Sequence, residues 1–207
     1  MLQESNFAND SLIPPEAPVN KAQRGWRETF DRIASGLYSL ASMLVGEGED
    51  SARLVETAVA NGEVSACQDA EQARVSSRRA LCGPALEILE QRNPGCLAAP
   101  VGLQAVATCI EDDDLDAVGV SSEELERMIA GPDRDRMRNW LASLPTELRT
   151  IFALRAVAGL TAAETAGMLA EHGGPKAAGW TPDAVRELFR QALCSLTSQL
   201  IQATTAR

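Results

Sequence analysis

Aromatic side chains make up only 4% of this 207-residue chain, and between Tyr38 and Trp140 there is no Phe, Trp or Tyr. Its cores must therefore be built from Ala, Leu, Val and Ile, which a 45% hydrophobic content supplies. Histidine occurs once, at His172 beside Gly173-Gly174, where it reads as a loop residue. A nucleophile-and-base pairing around that one imidazole is missing, as are a phosphate-cradling loop and a metal-ligand constellation. The expectation is a protein that is not an enzyme, with no cofactor and no metal. No apolar run reaches the roughly 18 residues of a membrane span. Nor does the N-terminus carry a charged-then-apolar signal pattern, so the protein is expected to be cytoplasmic with no membrane partner. Five cysteines, Cys67, Cys82, Cys96, Cys109 and Cys194, are scattered without a CxxC pair. They read as reduced, mostly buried thiols.

What the chain does have is a pair of helix signals in residues 160–196. Thr161 is an N-cap candidate and Glu164 stands three residues on, which together make a capping box. Ala163, Ala166, Gly167 and Ala170 keep that helix slim, while Leu160, Met168 and Leu169 give it a packing side. His172-Gly173-Gly174-Pro175 stops it. Thr181-Pro182-Asp183 starts the next: a capping hydroxyl, a proline where a missing N–H costs nothing, and an acid at the positive helix end. This second helix carries Val185, Leu188, Phe189, Ala192, Leu193 and Leu196 at i, i+3, i+4 spacing, with Arg186 and Arg190 off the stripe. Two short helices, the second capped and bearing arginines, form the geometry that sets a recognition helix in a major groove.

Charge divides the chain unevenly. Residues 1–133 carry a net −13 and residues 134–207 a net +3, within a total of −10. One part is thus suited to an acidic polymer and the other is not, although +3 is a weak electrostatic footprint. The expected organisation is all-α, with two helical domains joined by an acidic linker. A disordered tail spans 1–22, a helical domain 23–110, the linker 111–133 and a helix-turn-helix domain 134–207. The first domain reads as a helix from Trp26 to Val45, a second through Leu54, Val55, Ala58 and Val59, and a third over about 66–82. Gly83-Pro84 interrupts the third, which then resumes over 85–90. Val101–Ile110 is a short apolar segment, read as helix. The acidic run Glu111–Asp116 lacks the spacing of a calcium loop and reads as a solvated linker or as a shield over the basic half. A helix ending at Ala130 precedes the Gly131-Pro132 boundary. Four more cover 134–144, 147–158, 162–171 and 182–203. Trp26 and Trp140 read as packing anchors, and Trp180 as a staple of the loop onto the last helix.

In residues 138–196, Leu144-Pro145, Arg149, Phe152, Leu154-Arg155, Gly159-Leu160-Thr161, Glu164, Ala166, Leu169, Thr181, Val185, Ala192 and Leu196 follow one family's pattern. They resemble the −35-binding region 4 of an extracytoplasmic-function sigma factor of bacterial RNA polymerase. Residues 26–60 are similar, more loosely, to the start of region 2 through Leu37-Tyr38, Leu40-Ala41, Leu44, Gly46, Asp50 and Leu54-Val55. The resemblance implies a transcription initiation factor whose partners are core RNA polymerase and promoter DNA, with an anti-sigma protein as a further partner. It implies DNA contacts from Thr181, Arg186, Arg190 and Gln191. Polymerase or region 2 contacts fall to Arg53, Glu56, Arg78 and Arg79.

Several positions depart from that pattern. Arg53 and Glu56 replace the acid and the glutamine that flank the region 2 Leu-Val pair. The stretch expected to open promoters holds no ring on which a flipped base could stack, an interaction of about 1–3 kcal/mol per base. Glu187, Leu188 and Gln191 thin the basic face of the last helix, and the 173–180 connection exceeds the roughly three or four residues of a usual helix-turn-helix. These changes give the alternative: a degenerate sigma-like interaction module that binds an anti-sigma protein or another partner by mimicry, without promoter opening.

Overall fold

A computed structural model describes residues 21–61, 69–102, 109–132 and 134–205. Expectations for the 1–20 tail, Cys67, residues 66–68, residues 103–108, Asp133 and the Trp26 side chain fall outside the described residues. Regular structure among the described residues is entirely helical, as the periodicity predicts.

Helix α1 (Lys21–Val45) buries Ile33, Leu37, Leu40, Ala41 and Leu44, one face at helical spacing. Phe30, which the helical spacing of Ile33, Leu37 and Leu44 would also place on that face, stays 37% exposed. Helix α2 (Glu49–Asn61) buries Leu54 and Ala58, and α3 (Ala70–Arg92) packs against both. The predicted interruption at Gly83-Pro84 does not occur, and α3 runs through it. An internal proline forfeits a backbone bond and costs about 3 kcal/mol. Leu81, Cys82, Ala85 and Leu86 around it are all fully buried, and at roughly 2 kcal/mol for each buried leucine their packing outweighs that loss.

The chain continues through a 3-10 turn (Leu115–Val118) to α4 (Ser122–Ala130), whose cap Ser121 accepts from the Glu124 N–H at 3.2 Å. Helix α5 (Arg134–Ser143) brings Trp140 edge-on to Phe152, with ring centres 5.0 Å apart. The Trp140 indole donates to Ser195 Oγ at 3.0 Å, so it anchors packing as predicted. Helix α6 (Thr146–Phe152) passes into a π turn (Ala153–Val157), followed by α7 (Ala162–His172), a 3-10 turn (Pro175–Ala177) and α8 (Pro182–Thr205). His172 therefore closes α7 instead of lying in the loop. Its Nδ1 sits 2.8 Å from Glu87 Oε1 on α3.

Buried side chains from both sides of residue 133 join one cluster, from Ile33 through Leu86, Leu125 and Phe152 to Leu196. Polar ties cross as well. Arg79 pairs with Glu164 at 2.6 Å and Arg138 with Glu47 at 2.9 Å.

Two of the expected thiols are not thiols: Cys109 and Cys194 form a disulfide. Their separation of 85 residues leaves no local signature, and only the fold brings the Cα atoms to 5.8 Å, within bonding range. Cys82 and Cys96 are free. Burial pushes the Cys82 thiol up to about 12, so it stays protonated and inert at neutral pH.

Candidate nucleic-acid interface

Helices α7 and α8 begin as their caps dictate. Thr161 Oγ1 accepts from the Glu164 N–H at 3.2 Å while the Glu164 carboxylate accepts from the Thr161 N–H at 2.8 Å, a complete capping box. The two hydrogen bonds from Thr161, first the backbone and then the side chain, hold the Glu164 carboxyl below its ordinary 4.5, with Arg79 adding to them. At α8, Thr181 Oγ1 accepts from the Ala184 N–H at 3.2 Å. Between them, Gly174 takes a φ of +82°, and a Cβ there would also meet the Glu90 carboxyl group at 2.6 Å. Glycine alone suits both demands. The bend is held from outside: the Trp180 indole donates to Leu97 O at 2.8 Å and the Ala99 N–H donates to Lys176 O at 2.9 Å. Trp180, read as a staple of the loop onto the last helix, is buried and ties the loop to the first half of the chain through Leu97.

The apolar stripe of α8 faces inward, with Val185, Phe189, Ala192, Leu193 and Leu196 buried and Leu188 half-buried. Arg186 is 44% exposed, pairs with Asp183 at 2.5 Å and stands 4.0 Å from Asp113. Arg190 is 28% exposed. It donates to Glu187 Oε2 at 2.8 Å and to the backbone carbonyl of Glu111 at 3.1 Å. Gln191 reaches the same buried Glu187 at 3.3 Å. Thr181, Arg186, Arg190 and Gln191 thus share the first turns of α8, and two of them lean on one acid.

Arg155 and Asp113 carry the arrangement, although the sequence marks Arg155 only as part of the family pattern and Asp113 only as one acid of the run. Arg155 Nη1 donates to Leu160 O at 2.9 Å, Nη2 donates to both the backbone and the carboxylate of Asp113 at 2.9 Å, and the guanidinium lies 4.9 Å from the Phe189 ring centre. The acidic segment is thereby laid against α8, through Asp113 on Arg155 and near Arg186 and through Glu111 O on Arg190. A run of consecutive acids does not announce which helix it will cover, so the pairing of these two residues is not visible before folding.

The first-half candidates lie elsewhere. Arg53 and Glu56 are exposed on α2, and Arg53 pairs with Asp50 at 2.6 Å. Arg78 is an internal clamp, 11% exposed, which donates to Val157 O at 2.9 Å and Glu126 at 2.8 Å. Arg79 meets the Glu164 cap of α7. Arg134 and Arg138 pair locally with Asp135 at 3.6 and 3.9 Å. Among the described residues there is no cluster of acid, His and Cys ligands that could hold a metal, and no helix long and apolar enough to cross a membrane. Comparison with protein-family models, curated proteins and solved structures finds no match.

Proposed function

We propose that this chain is a sigma-factor-like regulator of transcription initiation. In this reading α7 and α8 are a helix-turn-helix, α8 is the recognition helix for a promoter −35 element, and core RNA polymerase is the principal partner. Residues 23–110 act as a region 2-like unit, 111–133 as the acidic connector and 134–207 as the region 4-like unit. The reading rests on one observation above all. The capped α8 buries its apolar stripe and keeps Arg186 on the solvent side of its first turns. Arg186 and Arg190 then serve phosphates or base edges, and backbone N–H groups at the start of α8 receive a phosphate. Modest charge is offset by tethering, because a module held on polymerase acts at high effective concentration.

Replacing Arg186 and Arg190 together by alanine is expected to weaken promoter binding and flatten its salt dependence. Unchanged mobility shifts would reject this face. Internal use of Arg78 and Arg79 favours a second reading, a sigma-like module that binds a protein partner and does not open promoters. Addition of the chain to core polymerase separates the two: permanganate-reactive thymines near −10 arise only under the first.

A further inference from the structure

We propose that the Cys109–Cys194 disulfide is a redox latch: it holds the acidic segment 109–118 across the arginine face of α8, and reduction by a dithiol uncovers that face. The proposal rests on the reading of α8 as the DNA-contacting helix. The segment is pinned at two ends of different character. At one end Cys109 is bonded to Cys194 on α8, and its own N–H donates to the Cys194 sulfur at 3.0 Å. At the other, Leu115 and Val120 are buried, and Asp114 caps the 3-10 turn between them.

Between these ends lie Glu111, Asp112, Asp113 and Asp114, with Asp116 just beyond. Glu111 O accepts from Arg190 at 3.1 Å, and Asp113 sits 4.0 Å from Arg186 and 2.9 Å from Arg155. The same residues that would meet phosphate therefore meet a carboxylate and a carbonyl, and the remaining acids repel an approaching polyanion. Apart from the disulfide, 109–114 is held by Ile110 packed against the apolar cluster and by Asp113 on the half-buried Arg155, whereas its contacts with Arg186 and Arg190 lie at the solvent boundary, where a polyanion can displace them. Cys109 is exposed, so a thiolate can reach the bond.

The chemistry is ordinary thiol exchange. A dithiol attacks one sulfur as its thiolate and the other protein sulfur leaves and takes a proton. The second thiolate of the reductant then resolves the mixed disulfide, releasing the first protein sulfur to be protonated in turn. One S–S bond breaks and two S–H bonds form. The two electrons and two protons come from the dithiol, which departs as its own disulfide.

The test uses the full chain, air-oxidised or treated with dithiothreitol, beside the C109S/C194S double variant. Amide hydrogen exchange of 109–114 reports the segment, and titration with a short mixed-sequence duplex at several salt concentrations reports the face. Reduction is expected to speed exchange of 109–114 while leaving α1–α3 protected. It should raise duplex affinity by about tenfold and steepen the log–log salt dependence by about two, one for each freed arginine. The double variant should match the reduced protein under both conditions. Identical exchange and affinity in the two redox states would overturn the latch. So would a global loss of protection on reduction, which would make the bond structural, or alkylation of both cysteines without prior reduction. Faster exchange with equal duplex binding in both states would overturn the shielding claim. Faster exchange with no duplex binding in either state supports the latch and removes the DNA reading of α8.

Discussion

At Gly83 a Cβ would stand 2.9 Å from His172 Nε2 and 3.0 Å from its Cε1. The bare backbone of α3 makes room for the imidazole that ends α7, and the ring is fixed there by its 2.8 Å contact with Glu87. Glycine inside a helix costs roughly 0.5–1 kcal/mol against alanine, so this residue weakens its own helix to admit a neighbour. Gly83→Ala should therefore destabilise the protein by about 1 kcal/mol, because the strain of overpacking, some 1–3 kcal/mol, exceeds the gain in helix propensity. Adding His172→Ala should recover more than the loss, since the ring is gone and the propensity gain remains. Urea denaturation of the two variants measures both changes, and a Gly83→Ala protein more stable than the parent would contradict the packing described. Nothing in the sequence marks this pair. Gly83 precedes a proline and His172 precedes two glycines, so each reads locally as a break.

Helices α7 and α8 were legible because their information is local: a capping hydroxyl, an acid at the right interval and an apolar period of 3.6. The path of α3 was not, because burial of its central turn overrides the local meaning of proline. The position of the acidic segment was not legible either, since it depends on Arg155 and on a crosslink between residues 85 apart. The α7 cap itself links local and tertiary structure through Glu164, which serves Thr161 and also Arg79 of α3. Its carboxyl group is held below the ordinary 4.5, so the folded form binds that proton less readily than the unfolded one. The resulting stability is complete above 4.5 and fades as pH falls through the lowered folded value. Glu164→Gln keeps a capping-box acceptor but no charge. It should lower the urea midpoint near neutral pH, and the difference from the parent should shrink below 4.5. A constant difference at all pH values would show that Arg79 and the charge contribute nothing.

Across the whole molecule, the apolar cluster runs from Ile33 to Leu196 without a gap at residue 133. A charge step of −13 to +3 divides the sequence, yet charge patterning governs partners and solubility and has little hold on where a core closes. Thermal unfolding of the oxidised chain should accordingly appear as one cooperative transition, with calorimetric and van't Hoff enthalpies in agreement. Two resolved transitions would show that the halves unfold separately. Contact across the halves includes the bend between α7 and α8, where the partners of Trp180 and Lys176 are Leu97 and Ala99. A tail cut out at residue 134 and grafted onto another protein would carry an unfinished corner, its indole N–H stripped of an acceptor. The α7–α8 corner is not a portable cassette, and any redesign of it has to be made in place.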